Sequence, residues 1–321
     1  MISRRSSIKS ILATVSAIYC ATPVYAKDPI TIVFPFSPGA SGDINIRLIT
    51  KTITDKTGIN FVIENKPGAN GIIASELVKR AKKNGKTLLV ANSGSHAINE
   101  IIFKGKLPYD SVNDFEPITL LWEFPCVLAV PTNGNISNIN DLIRLSKNKS
   151  GISFGSAGPG SGGHILGELL AKSINGNLVH VPYKGASPAV NDLVAGLIDI
   201  FFVSYSSIKS QVESGNLKII GVASDQRLKA IPDVPTLEEL SIKDVKMSNW
   251  FGLVAPSNTD KKTVNEINSI FLHAIQDKDI EKRLNSEGVN LLSSTPEYFS
   301  KKIKEDIESY KKSLAELGIK E

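Results

Sequence analysis

The chain has 321 residues, 41% hydrophobic and 21% charged, with 37 Lys and Arg against 32 Asp and Glu. That length holds one large domain or two ordinary ones, and the composition is globular, which excludes wholesale disorder, a long coiled coil or a collagen repeat. The formal charge of +5 is inflated by residues 1–26, which carry Arg4, Arg5 and Lys9 and no acid; the other 34 basic and 32 acidic residues leave +2, too little for a nucleic-acid footprint.

Residues 1–26 read as a secretory signal. Arg4, Arg5 and Lys9 form a basic start, Ile11–Ala21 an apolar stretch, and Val24-Tyr25-Ala26 a small-residue cleavage site, so the mature chain is expected to begin near Lys27. A membrane anchor is the rival reading, but spanning takes roughly 20 apolar residues and this run is shorter. Tyr19 before Cys20 is too large for a lipoprotein site. Cleavage removes Cys20 and leaves Cys126 alone, so the expected fold rests on its core without an intrachain disulfide. Cys126 lies in an apolar run and is expected to be a buried small hydrophobe.

Strands and helices then alternate. Ile30–Phe34 reads as a strand, Ile44–Ile53 as a helix, Phe61–Glu64 as a strand, Asn70–Ala81 as a helix and Thr87–Ala91 as a strand. A second series starts with the strand Val127–Val130. A helix follows at Ile139–Lys147, with Asn138 or Asn140 as cap, then a strand at Ile152–Phe154 and a helix at Ile165–Ile174. Next come strand Leu178–Val181, helix Ala189–Gly196, and strands Ile198–Val203 and Leu217–Ala223. Strand Trp250–Ala255 precedes helices Lys262–Gln276, Ile280–Glu287 and Pro296–Leu317. This grammar predicts an α/β protein of two lobes, each a mainly parallel sheet flanked by helices. Lobe one is expected over 27–125 plus 247–321 and lobe two over 126–246, with crossings near 122–130 and 245–252.

Two glycine-rich loops carry the chemistry, one in each lobe. Pro35-Phe36-Ser37-Pro38-Gly39-Ala40-Ser41-Gly42-Asp43 and Gly155-Ser156-Ala157-Gly158-Pro159-Gly160-Ser161-Gly162-Gly163-His164 each follow a strand and open a helix. Helix-start amides without internal partners, aligned with the helix dipole, suit a carboxylate or phosphate. Ligands of open α/β sheets sit beyond the carboxyl ends of the strands. Two such loops predict a cleft that closes on a small acid; the plainer alternative is a pair of tight turns. Asp43 either caps its helix or faces the ligand or a water. His164 and His96 either line the cleft or are core or solvated histidines.

Other templates fit poorly. Gly158, Gly160 and Gly163 satisfy G-x-G-x-x-G, but Leu178–Tyr183 supplies no acid for a ribose, so no dinucleotide or other cofactor is expected. The chain shows no nucleophile elbow at Ser41, Ser93, Ser156 or Ser161 and no zinc spacing among His96, His164, His180 and His273. An enzyme reading needs Ser161 paired with His164, without an evident orienting group.

The loops resemble those of the periplasmic substrate-binding proteins of tripartite tricarboxylate transporters, the Bug-type family. The likeness runs from about Ile30 to about Leu317. It rests on Pro35-Phe36-Ser37-Pro38-Gly39 with Asp43, Glu64-Asn65-Lys66-Pro67-Gly68-Ala69-Asn70-Gly71, and Tyr109-Asp110 with Asp114-Phe115. Ser156–His164, Pro182-Tyr183-Lys184-Gly185, Pro232-Asp233-Val234-Pro235-Thr236 and Trp250-Phe251-Gly252-Leu253 follow in order. The resemblance implies a Venus-flytrap fold, type II-like, with the solute between the lobes and no catalysis. It implies a di- or tricarboxylate, an acidic amino acid or an aromatic acid as ligand, membrane permease subunits as partners and a periplasmic location. Carried over by position, it points to Ser37, Gly39, Ala40, Ser41 and Asp43 in lobe one and to Ser156, Ala157, Gly160, Ser161 and His164 in lobe two, with Asn92, Ser93, His96 and Tyr183 as secondary candidates. Ala40 stands where the family usually has a second glycine. A ligand sensor for a membrane signalling partner would use the same cleft.

Overall fold

The computed structural model describes residues 28–39, 41–247 and 249–316; the signal expected at 1–26 lies outside them. The first series comprises β1 (Ile30–Phe34), α1 (Ser41–Thr57), β2 (Phe61–Asn65), α2 (Ile72–Lys79) and β3 (Thr87–Asn92). β1 pairs in parallel with β2 and with β3. Alternation sends Ile30, Ile32 and Phe34 to one face, where Ile46, Ile49 and Ile53 of α1 cover them, and Val33 to the other, under Ala74 and Val78 of α2. The helix expected from Asn70 starts at Ile72 instead. Ala69–Gly71 forms a tight turn in which Asn70 and Gly71 have φ of 49° and 88°, a conformation that cannot continue a right-handed helix.

A wide turn, Gly94–Ile98, and the short α3 (Asn99–Ile102) lead to β4 (Phe115–Phe124), a strand the periodicity did not reveal. Pro117 disguises it, because proline cannot donate to a ladder. The sheet admits it opposite Val254, where the register shifts. Pro125 alone separates β4 from β5 (Cys126–Pro131), so the chain passes between sheets in one residue.

The second series is α4 (Ile139–Leu145), β6 (Ile152–Ser156), α5 (Gly162–Ser173), β7 (Leu178–Pro182), α6 (Ala186–Val194), β8 (Ile200–Ser204), α7 (Tyr205–Glu213) and β9 (Leu217–Val222). Asn138 caps α4, its side chain accepting from the Asn140 and Asp141 amides. α7 also went unforeseen: it is rich in serine and buries only Tyr205 and Ile208. The chain returns through β10 (Asn249–Pro256), followed by α8 (Lys261–Ile275), α9 (Lys278–Ser286), β11 (Asn290–Leu291) and α10 (Pro296–Glu316).

The first sheet has the order β11-β4-β10-β3-β1-β2 and the second β7-β6-β8-β5-β9. Each is mixed. The strands of the β-α-β units are parallel and end at the same edge. A strand arriving from the other sheet enters at that edge and runs away from it. β10 and β5 therefore lie antiparallel to their neighbours. α10 joins the two lobes: Phe299 and Ile303 pack with Trp250 on the first sheet, while Tyr310 and Leu314 share a core with Leu128 and Phe154 of the second. Cys126 is buried at the crossing, where Asn249 Nδ2 donates to its Sγ at 3.3 Å. Burial pushes its thiol up to about 12, so it stays neutral.

Candidate functional site

In lobe one the turn after β1 is held by Asp43, in the first turn of α1. Asp43 is buried and spends both oxygens on the chain. Oδ2 accepts from the Gly39 amide and from Arg47 Nε, each at 3.0 Å, and Oδ1 accepts from Asn65 Nδ2 at 2.8 Å. Asn65 Nδ2 also donates to the Phe36 carbonyl at 3.0 Å, and Arg47 Nη2 donates to Asn65 Oδ1 at 2.9 Å. Burial alone would raise the Asp43 carboxyl, but the bonds from Arg47, Gly39 and Asn65 outweigh it and hold it below the usual carboxylate value. The clamp leaves Ser37, Pro38 and Gly39 as an exposed tip, with Gly39 at φ 82°. Ser41 opens α1 beside it; Ala40 lies outside the described residues.

The turn after β3 packs beside this tip. A Cβ on Gly71 would lie 3.0 Å from Ser95 Cβ and 3.4 Å from Pro35 Cβ, so three strand-end loops meet there. Asn92 Oδ1 accepts from the Ser95 amide at 3.0 Å, while its buried Nδ2 has no partner. Ser93 is buried at the head of the wide turn. His96 turns away into the core. It is fully buried between Tyr109 and Phe115, with its ring centroid 4.8 Å from that of Phe115 and Nδ1 bonded to Ser95 Oγ at 3.0 Å. Burial lowers its pKa to about 3, so it is neutral.

In lobe two the loop before α5 is built on two stacked histidines. The rings of His164 and His180 lie 4.0 Å apart at 21°, and Phe154 packs against both, 4.9 Å from His180 and 6.5 Å from His164. His164 Nδ1 accepts the Gly160 amide at 3.1 Å, which makes it the unprotonated nitrogen. Ser156 Oγ bonds His180 Nε2 at 2.6 Å and accepts the Gly158 amide at 3.1 Å. Ala157 is exposed at the tip. Ser161, at the N-cap of α5, has a buried Oγ without a partner. Tyr183 holds the neighbouring turn: its amide donates to the Ser156 carbonyl at 3.0 Å and its hydroxyl to Asp192 at 2.7 Å. The Ser161–His164 pair an enzyme would need is not formed, because His164 Nδ1 is engaged by Gly160.

Two loop glycines carry cross-lobe contacts. A Cβ on Gly160 would fall 2.6 Å from Ile102 Cδ1 of α3, and one on Gly162 would fall 2.8 Å from Asn249 Oδ1. The second loop is thus pressed against lobe one and against the returning strand. On another side, Lys209 of α7 pairs with Glu287 at 2.8 Å. Sequence reasoning missed Arg47, Asn65, His180 and Ile102 as supports of these loops. Asn65 stood in a motif already recognised; the others had no signal along the chain, because their partners lie on other elements.

Burial depresses the pKa values of His164, His180 (to about 4) and His96, so the native state prefers them neutral. A histidine with a lowered folded pKa takes up protons on unfolding, so stability falls as pH drops from 6.5 toward the folded values. The melting temperature is expected to decline between pH 7 and pH 4.5, less steeply in His180→Asn. A profile that is flat in the parent chain, or equally steep in the variant, would refute this assignment.

A family model described as tripartite tricarboxylate transporter family receptor matches residues 45–319. A UPF0065 protein from the tcbD-tcbE intergenic region of Pseudomonas sp. (strain P51) is 34% identical over 294 residues, covering 91% of this chain and 87% of that one. Protein BugT of Bordetella pertussis is 29% identical over 297 residues, covering 92% and 91%. Among solved structures, one described as a periplasmic transporter aligns with TM-score 0.83 at 33% identity, covering 92% of this chain and 99% of that one. MatC from Rhodopseudomonas palustris, solved with malate bound, aligns with TM-score 0.78 at 27% identity, covering 89% and 98%. Two sheets flanked by helices agree with the fold of these neighbours. The chain belongs to the tripartite tricarboxylate transporter receptor family, whose members are periplasmic solute-binding receptors and not enzymes.

Proposed function

We propose that the protein captures a small organic carboxylate between its lobes and delivers it to the membrane permease of a tripartite transporter. Lobe one would be 27–125 plus 247–321, lobe two 126–246, and the mature chain would work in the periplasm after cleavage near Ala26. The observation that carries this reading is the pair of loops: each follows a strand, opens a helix of 12 residues or more and contains no Lys or Arg. Free amides at helix starts hold an anion without a buried countercharge, which suits a receptor that must also release it. Ser37, Ala40 and Ser41 on one side, and Ala157 and the unpartnered Ser161 hydroxyl on the other, would present polar groups to the solute, while Gly39 and Gly160, whose amides are spent on Asp43 and His164, would shape the two loops. Asp43, Ser156, His164 and Tyr183 would position the loops, with Asn92 and Ser93 at the rim. The likeness to malate-bound MatC supports the carboxylate class.

A thermal-shift screen of solute-free protein against malate, citrate, glutamate and benzoate tests it. A bound acid at about 100 times its Kd should add roughly 2.7 kcal/mol of stability. No shift with any acid at millimolar concentration would overturn the reading.

A further inference from the structure

The cleft edge of the first sheet carries an aromatic layer that the carboxylate reading does not use. Phe251 lies opposite Asn92 on one side and Trp122 on the other, so the three share a row and a face. The Phe251 ring stacks on Trp122 at 5.1 Å and lies 6.2 Å from Phe36 and 5.8 Å from Phe124. Trp122 and Phe34 beneath are fully buried, whereas Phe36 and Phe124 remain partly exposed. Phe36 belongs to the first glycine-rich loop, and Phe124 is the last residue of β4 before the crossing at Pro125. The first turn of α1 sits directly on this layer: a Cβ on Gly42 would lie 2.8 Å from the Phe34 ring and 3.6 Å from Trp122. The helix start that would hold a carboxylate and two partly exposed phenylalanines therefore share one end of the lobe. The buried Nδ2 of Asn92, in the same row, is left without a partner.

From this arrangement we infer that the solute is a carboxylate with an apolar body of aromatic size, and that Phe36 and Phe124 select it. The inference rests on the carboxylate reading above and narrows it. The head group would take the amides of the loop while the body lies against the phenylalanine edges, in the offset or edge-to-face contact that aromatic rings favour. A hydroxylated di- or tricarboxylate placed there would turn hydroxyl or carboxylate groups against rings that offer no hydrogen bond, and would lose their hydration.

Titration calorimetry of the purified, solute-free protein with benzoate, malate and citrate provides the test. Benzoate is expected to bind at least tenfold more tightly than malate or citrate. Phe36→Ala and Phe124→Ala should each weaken benzoate tenfold or more, and Phe124→Tyr, which keeps the ring, should retain most of the affinity if the fold is intact. Tighter binding of malate or citrate than of benzoate, or benzoate affinity indifferent to both alanine variants, would overturn this inference and leave the carboxylate reading standing. Binding of no acid would overturn both.

Discussion

Replacing Asp43 by alanine is expected to lower stability by about 2–3 kcal/mol and to weaken solute binding by at least tenfold. The physical reason is the number of partners that depend on one buried carboxylate. Arg47, Asn65 and the Gly39 amide all donate to it, and Asn65 in turn holds the Phe36 carbonyl. Hydrogen bonds to a charged group are each worth about 1.5–3 kcal/mol, and removing the acceptor strands its donors. For a chain of this size the loss corresponds to about 3–5 °C in melting temperature. The loop tip at Ser37–Gly39 would lose the tether that sets its geometry, which is why binding should fall with stability. Asp43→Asn keeps an acceptor for Asn65 but turns a donor or a neutral oxygen toward Arg47, and should fall between the two. Because the folded pKa is depressed, this stabilisation is present above pH 3.8 and is lost as the pH falls through the folded value. An alanine variant that melts and binds like the parent would show that the clamp is incidental.

The second large effect is expected at Gly163. It lies in the first turn of α5, where the helix crosses the backbone of β8. A Cβ there would sit 2.7 Å from the Phe202 carbonyl oxygen and 3.3 Å from the Phe201 ring. β8 is the middle strand of its sheet, paired with β6 on one side and β5 on the other, so that carbonyl cannot withdraw. The helix must lift instead. Overpacking of this kind costs about 1–3 kcal/mol, and lifting the start of α5 displaces Gly160, Ser161 and His164 together. Gly163→Ala is therefore expected to abolish measurable carboxylate binding while the chain still folds. Gly167→Ala, one turn further along, meets the Phe154 ring at 2.2–2.8 Å and should also destabilise, but with a smaller loss of affinity, because its clash reaches the loop only indirectly, through the stacking of Phe154 on His180. Calorimetry and melting curves on both variants decide the matter; equal losses of affinity would show that general destabilisation, not displacement of the loop, is responsible.

Much of this molecule was legible in the amino-acid sequence. The β-α-β grammar, the two glycine-rich loops and the Asn138 cap follow from period, turn chemistry and propensity, which act over a few residues. Their locations agree with the structure to within a few positions, as at Ile30–Phe34 and Lys261–Ile275. β4 escaped because a proline inside a strand is tolerated only where a partner strand shifts register, and no local pattern announces that partner. α7 escaped because its serine-rich run buries too few apolar residues to show a period.

The candidate site divides in the same way. Which loops would carry it was readable, because glycine at positive φ and small polar residues at a helix start are local requirements. What each side chain does was decided only by the tertiary structure. Asp43 became a clamp because Asn65 comes to it from a parallel neighbour strand. His96 went into the core and His164 onto the loop, although each follows a short Gly/Ser run, because Phe115 and Tyr109 surround the first and His180 stacks on the second. Hydrogen bonds and ring contacts between residues tens of positions apart depend on the docking of whole elements, and the chain alone does not display that docking.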